Sequence, residues 1–167
     1  MTGFRDRLAY DGAKGTYHDE ARRYMMIRPE ALMGIFARLP ADARMQALGA
    51  LRASILEQGS DSARAYVAHA GSAEGLMKII PHTAAELGWG AWTLKRTGDA
   101  LDLAVTDSPF AAGFGASETP VCEAIAGMLQ GVAGIMSGQV SVAVETQCAA
   151  QGHATCRFSA HPVGETQ

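Results

Sequence analysis

The chain has 167 residues, 48% of them hydrophobic and 19% charged, with a formal net charge of −3. That size and balance fit one globular domain whose core needs no staples. They argue against a nucleic-acid partner, because the 14 Lys and Arg are scattered among 17 acids and form no basic stripe.

The first residues, MTGFRDRLAYDGAKG, are charged where a secretory signal would be apolar, and no run reaches the length of a membrane span. A cytoplasmic protein with reduced thiols is expected. Residues 1–20 read as a polar arm or irregular lead-in, followed by a single domain over 21–161 and a polar tail over 162–167.

Arg22–Arg28 alternates imperfectly before Pro29 and predicts a short strand. From Pro29 the spacing turns helical, with Leu32, Ile35, Phe36 and Leu39 on one stripe closed by Pro40. A second helix starts near Ala41, carries Met45, Leu48, Leu51 and Ile55, and is expected to end at Gly59. Two more follow, from Asp61 to about Ala70 and from Ser72 to about Leu87, with Pro81 expected to kink or restart the latter.

Strand chemistry begins at Trp89–Lys95 and Leu101–Thr106, joined by a turn at Gly98 and Asp99. Leu101, Leu103 and Val105 form the buried face of the second strand. Asp107–Thr119 reads as a loop, and its Gly-Phe-Gly is too short for a dinucleotide fingerprint. A helix then runs from Pro120 to about Gly138, with Thr119 as N-cap and Cys122 in its first turn.

That helix carries Gly127, Gly131, Gly134 and Gly138, each costing about 1 kcal/mol against Ala, so a close approach of its backbone to a sheet or a twin helix is expected. The surplus of apolar surface also suggests a homodimer. The last hairpin pairs Gln139–Thr146, with Val140, Val142 and Val144 inward, with a strand from Cys156 to Ala160. The fold class is therefore α+β: helices packed on an antiparallel sheet built from hairpins, with a long Gly-rich helix before the last hairpin.

All three cysteines lie between Thr119 and Phe158. Cys122 near a helix start, Glu145 and Cys148 near a strand end and Cys156 on the returning strand can converge as three thiols and a carboxylate, a donor set suited to tetrahedral Zn²⁺. The spacing alone leaves other readings open: buried free thiols, or a Cys148–Cys156 disulfide with Cys122 left over. His153, between the last two cysteines, is an alternative ligand to Glu145.

Asp-Ser-Pro-Phe at 107–110, Pro-Val-Cys-Glu-Ala-Ile-Ala-Gly at 120–127 and Glu-Thr-Gln-Cys-Ala-Ala-Gln-Gly-His-Ala-Thr-Cys-Arg-Phe at 145–158 resemble the signature of the 4-vinyl reductase domain family. That family comprises small-molecule-binding modules, found alone and as sensor domains of aromatic-responsive activators. The resemblance implies a structural zinc at Cys122, Glu145, Cys148 and Cys156, since those positions match the metal ligands of the aromatic-sensing members.

The resemblance also implies a function. The chain is expected to bind or sense a small hydrophobic, aromatic or tetrapyrrole molecule; the alternative is a 4-vinyl reductase, or its accessory or carrier protein, in (bacterio)chlorophyll biosynthesis. A third reading is a structural interaction domain, since the fold also resembles subunits of vesicle-tethering complexes. For the ligand site, chemistry alone points to Trp89, Trp92, Phe110 and His82, an apolar aromatic group with one polar member. No hydride-donor site and no catalytic residue are evident.

Overall fold

The computed structural model describes residues 3–70 and 72–164; for 61–70, 73 and 74 it describes the backbone alone. The first twenty-odd residues are folded, where an irregular lead-in was expected. They form helix α1 (Phe4–Arg7) and an antiparallel sheet of β1 (Ala9–Asp11), β2 (Thr16–Asp19) and β3 (Arg22–Tyr24).

Two bonds hold this piece together: the Arg7 guanidinium donates from Nε and Nη2 to the buried Asp19 carboxylate at 3.1 and 3.0 Å. A third anchors it to the body, where the Phe4 amide donates to Glu86 Oε2 at 2.6 Å and the buried Phe4 ring meets Tyr24 edge-on. The strand expected over 22–28 stops at Tyr24, and Met25, Met26 and Ile27 are exposed.

Helix α2 (Pro29–Ala37) starts with Pro29 in its first turn, where the missing N–H costs nothing. Its inward face is Leu32, Met33 and Phe36, while Ile35, expected inward, is 57% exposed. Helix α3 (Ala41–Ala70) is continuous where two helices were expected. Gly59 does not stop it because Gly59 is a contact point: a Cβ there would lie 2.9 Å from the Met128 methyl. Helix α4 (Ala73–Glu86) is capped by Ser72, whose Oγ accepts from the Gly75 amide at 3.0 Å, and it runs on through Pro81.

The main sheet is antiparallel, with spatial order β4-β5-β7-β6. Its strands are β4 (Ala91–Thr97), β5 (Ala100–Thr106), β6 (Ser141–Gln147) and β7 (Cys156–Pro162). Leu101, Leu103 and Val105 face inward as expected. On β6 the expectation is reversed. Ser141, Ala143 and Glu145 are buried, while Val140, Val142 and Val144 are 77, 38 and 49% exposed. The polar face of this edge strand turns inward because Glu145 is drawn to the amide of Cys122, and a one-residue slip exchanges a strand's faces.

Two more boundaries differ. Residues 107–119 are not all loop, since Ser108 caps a short helix, α5 (Pro109–Phe114), by accepting from the Ala111 amide. Helix α6 (Glu123–Ser137) begins later than expected, with Cys122 itself as the N-cap and Pro120 outside it.

Helix α6 is buried between α3 and the sheet, and its glycines explain the closeness. A Cβ at Gly127 would lie 2.5 Å from the Arg52 carbonyl oxygen, and one at Gly131 would lie 2.6 Å from Ser60 Oγ. The twin helix that the glycines admit is thus α3 of the same chain. Arg52 locks the contact: it reaches Glu123 and Gln130 on α6 and donates to the Ala143 carbonyl of edge strand β6.

Candidate metal centre and ligand cavity

Four side chains from three elements meet where α6 starts. Cys122 caps α6, Glu145 points in from β6, Cys148 follows the end of β6, and Cys156 opens β7 after a 3₁₀ turn (Ala149–Gln151) and Gly152, whose φ of +92° suits glycine. Strict alternation from Glu145 would send Cys148 to the outer face. A register shift between Glu145 and Gln147, where β6 pairs with β7, changes this parity and lets both face inward.

The three cysteines are fully buried, and one ligand atom from each of the four residues falls within 4.8 Å of the others. Cys122 Sγ lies 3.8 Å from Cys148 Sγ and 3.6 Å from Cys156 Sγ. All three thiols are free, so the disulfide alternative does not form here. The separations are instead those of a tetrahedral ion, for which sulfur ligands at ~2.3 Å stand about 3.8 Å apart.

The surroundings orient each donor. The Cys122 amide donates to Glu145 Oε2 at 2.9 Å, the Ala149 amide to Cys156 Sγ at 3.2 Å, and Ser108 Oγ lies 3.3 Å from Cys122 Sγ. Glu145 Oε1 is buried with no hydrogen-bond partner among the described residues, leaving an acceptor aimed at the thiols. His153, the alternative ligand, is exposed and outside the cluster.

Without a cation these groups cannot all ionise. Hydrogen bonds from Cys122 and then Cys156 hold the Cys148 thiol down at about 2. Donating to Cys148 and then Cys156, in a buried setting, pushes Cys122 far up. Cys156 is favoured as thiolate by Cys122, but its bond to Cys148 and its burial outweigh this and raise it to about 12. Burial, then the charge on Cys148, raises Glu145 to about 8. The cluster thus holds a single stable negative charge on its own, and a divalent cation would release the other protons.

Beside this centre lies a cavity of about 1210 Å³. Trp89, Trp92 and Phe110 line it, as the sequence suggested. Trp89 meets Phe110 edge-on at 5.1 Å, and Trp92 Nε1 donates to the Trp89 carbonyl. His82 does not line the cavity; its side chain is 69% exposed and meets Glu86 at 3.5 Å. Sequence reasoning missed the opposite wall, which comes from Phe4, Arg5, Arg23 and the Met25–Ile27 linker. Nothing in those residues' local pattern foretells that a separate small sheet folds back onto α4.

The hairpin sheet, the Gly-lined helix and the four-donor cluster together define a 4-vinyl reductase domain. Residues 101–162 match the profile of that domain family, and that part of the chain belongs to it. No curated protein sequence matches the chain. The fold is similar to the phenol-responsive sensory domain of the transcription activator PoxR, solved with phenol (TM-score 0.80, 20% identity, covering 95% of this chain and 86% of that one).

Two further solved structures share the fold. A vinyl-4-reductase family protein from Methanocaldococcus jannaschii matches with a TM-score of 0.52 and 17% identity, covering 84% of this chain and 98% of that one. A trafficking protein particle complex subunit 3 from Naegleria fowleri, covalently bound to palmitic acid, matches at 0.57 and 12%, covering 81% and 95%. Among the described residues, no helix is long and apolar enough to cross a membrane.

Proposed function

We propose that the chain is a small-molecule sensing or binding domain that takes an aromatic or otherwise hydrophobic ligand into the cavity beside Trp89, Trp92 and Phe110. The observation that carries this reading is the cavity itself, about 1210 Å³ in volume and walled by stacked aromatic rings. The likeness in fold to a phenol-responsive sensory domain supports it. His82 enters only through its contact with Glu86, which does line the cavity.

The metal of this reading is Zn²⁺, held by Cys122, Glu145, Cys148 and Cys156. Three thiolates and one carboxylate make a closed shell, which is structural and not catalytic. Such an ion would neutralise the buried Glu145 and fasten the start of α6 to both strands of the last hairpin. The protein is read as cytoplasmic, where the thiols stay reduced, and as a homodimer.

Native mass spectrometry of the purified protein, with elemental analysis, tests metal and subunit number together. One zinc per chain is expected, and protein purified without chelator that carries no metal would sink the zinc assignment. For the ligand, phenol and larger aromatics should quench tryptophan fluorescence and raise the melting temperature. At a hundred times the dissociation constant, stabilisation should reach about 2.7 kcal/mol. If aromatics, lipids and tetrapyrroles all fail to do either, the binding reading fails. Reductant-dependent consumption of a divinyl tetrapyrrole would instead favour the reductase reading.

A further inference from the structure

The cavity is large and its charge is one-sided. An apolar cavity of ~150 Å³ admits benzene, so this one exceeds the needs of a single ring about eightfold. The charged residues that line it are Arg5, Arg22, Arg23 and Glu86. Glu86 is already engaged by the Phe4 amide and His82, and Arg22 lies 3.8 Å from Glu20. Arg5 and Arg23 have no ion-pair or hydrogen-bond partner among the described residues.

Apolar side chains occupy the rest of the wall, including Met33, Ile80 and Met128 in the interior and the exposed Met25–Ile27 linker at the mouth. Methionine adapts to irregular apolar shapes, which suits a long flexible body better than one small ring.

We infer that the natural ligand is an amphipathic carboxylic acid with a bulky apolar body, its acid group held at the mouth by Arg5 and Arg23. This deepens the proposed function and rests on the cavity being the ligand site. The selection is electrostatic: the two unpaired guanidiniums meet the carboxylate with charge-assisted hydrogen bonds, and an alcohol of the same length forgoes them.

The test uses the zinc-loaded chain and three probes below their micelle concentrations: oleate, oleyl alcohol and phenol, read by tryptophan fluorescence. Oleate should bind at least about tenfold more tightly than oleyl alcohol. Raising salt should narrow the gap, since partly exposed charges are screened. In R5Q/R23Q, both changes being at exposed positions, the gap should vanish while oleyl alcohol binds as before.

Equal affinity for oleate and oleyl alcohol in the parent protein overturns this inference and leaves the hydrophobic binding site standing. So does an oleate preference that persists in R5Q/R23Q. Should that variant unfold, the salt titration of the parent decides, and an oleate preference indifferent to salt overturns the inference. Failure of all three probes sinks both this inference and the proposed function.

Discussion

The separation of α3 and α6 should make one substitution act with opposite signs at two helical glycines. Gly49 is exposed on α3, with nothing within 4 Å of where a Cβ would stand. Gly49→Ala should therefore collect the full helix-propensity gain, about 1 kcal/mol. At Gly127 the same Cβ would lie 2.5 Å from the Arg52 carbonyl oxygen and 3.3 Å from its carbonyl carbon. Backbone cannot swing aside as a side-chain tip can, so the helices must part by about 1 Å. Overpacking of this kind costs typically 1–3 kcal/mol.

Parting the helices also stretches the Arg52 bonds to Gln130, Glu123 and the Ala143 carbonyl, each worth about 1 kcal/mol. Net of the propensity gain, Gly127→Ala should lose about 1–3 kcal/mol, leaving the two variants at least about 2 kcal/mol apart. Urea unfolding of both proteins at equal metal occupancy measures this. In a domain of this size, each kcal/mol is about 2–4 °C in melting temperature. Gly127→Ala proving as stable as Gly49→Ala would refute the close packing of α3 on α6.

Zinc binding at pH 7 should release about three protons: Cys122 and Cys156 are raised and Glu145 titrates near 8, whereas Cys148 is already a thiolate. Affinity should accordingly fall as pH falls, and calorimetry in buffers of different ionisation heat counts the protons; Glu145→Gln should release one fewer. Val144→Thr should change stability by no more than about 0.5 kcal/mol, because Val144 is exposed. Ala143→Val, at a fully buried position, should cost about 1–3 kcal/mol in the same denaturation assay. Glu86→Ala removes the acceptor of the Phe4 amide, so limited proteolysis should cut between residues 8 and 28 faster than in the parent.

Much of the fold was legible because its signals are local. The 101–106 strand shows period-2 alternation, Ser72 is a capping residue in place, and Gly98, at φ +62°, turns the hairpin between β4 and β5. The donor cluster was legible from residue types and order. What failed was decided by tertiary contacts. Gly59 looked like a stop and is instead the place where Met128 crosses α3. The valines of β6 looked like a core face, but a buried carboxylate and a register shift set that strand's facing. The N-terminal sheet has no strong pattern, since it is held by one ion pair and by Glu86 on a helix far along the chain.

The two sites are joined by one short helix, and this gives a reason for a structural metal in a binding domain. Ser108 touches Cys122 Sγ at the cluster and caps α5 through the Ala111 amide. Two residues on, Phe110 stands in the cavity wall against Trp89. On the other side of α5, the Ser117 amide donates to the Ala150 carbonyl and Gln151 donates to the Glu118 carbonyl, tying the loop to the turn between Cys148 and Cys156. A helix of six residues is too short to hold its shape alone, so its order depends on these attachments. An ion that fixes Cys122, Cys148 and Cys156 thereby fixes both ends of α5 and sets where Phe110 meets a ligand.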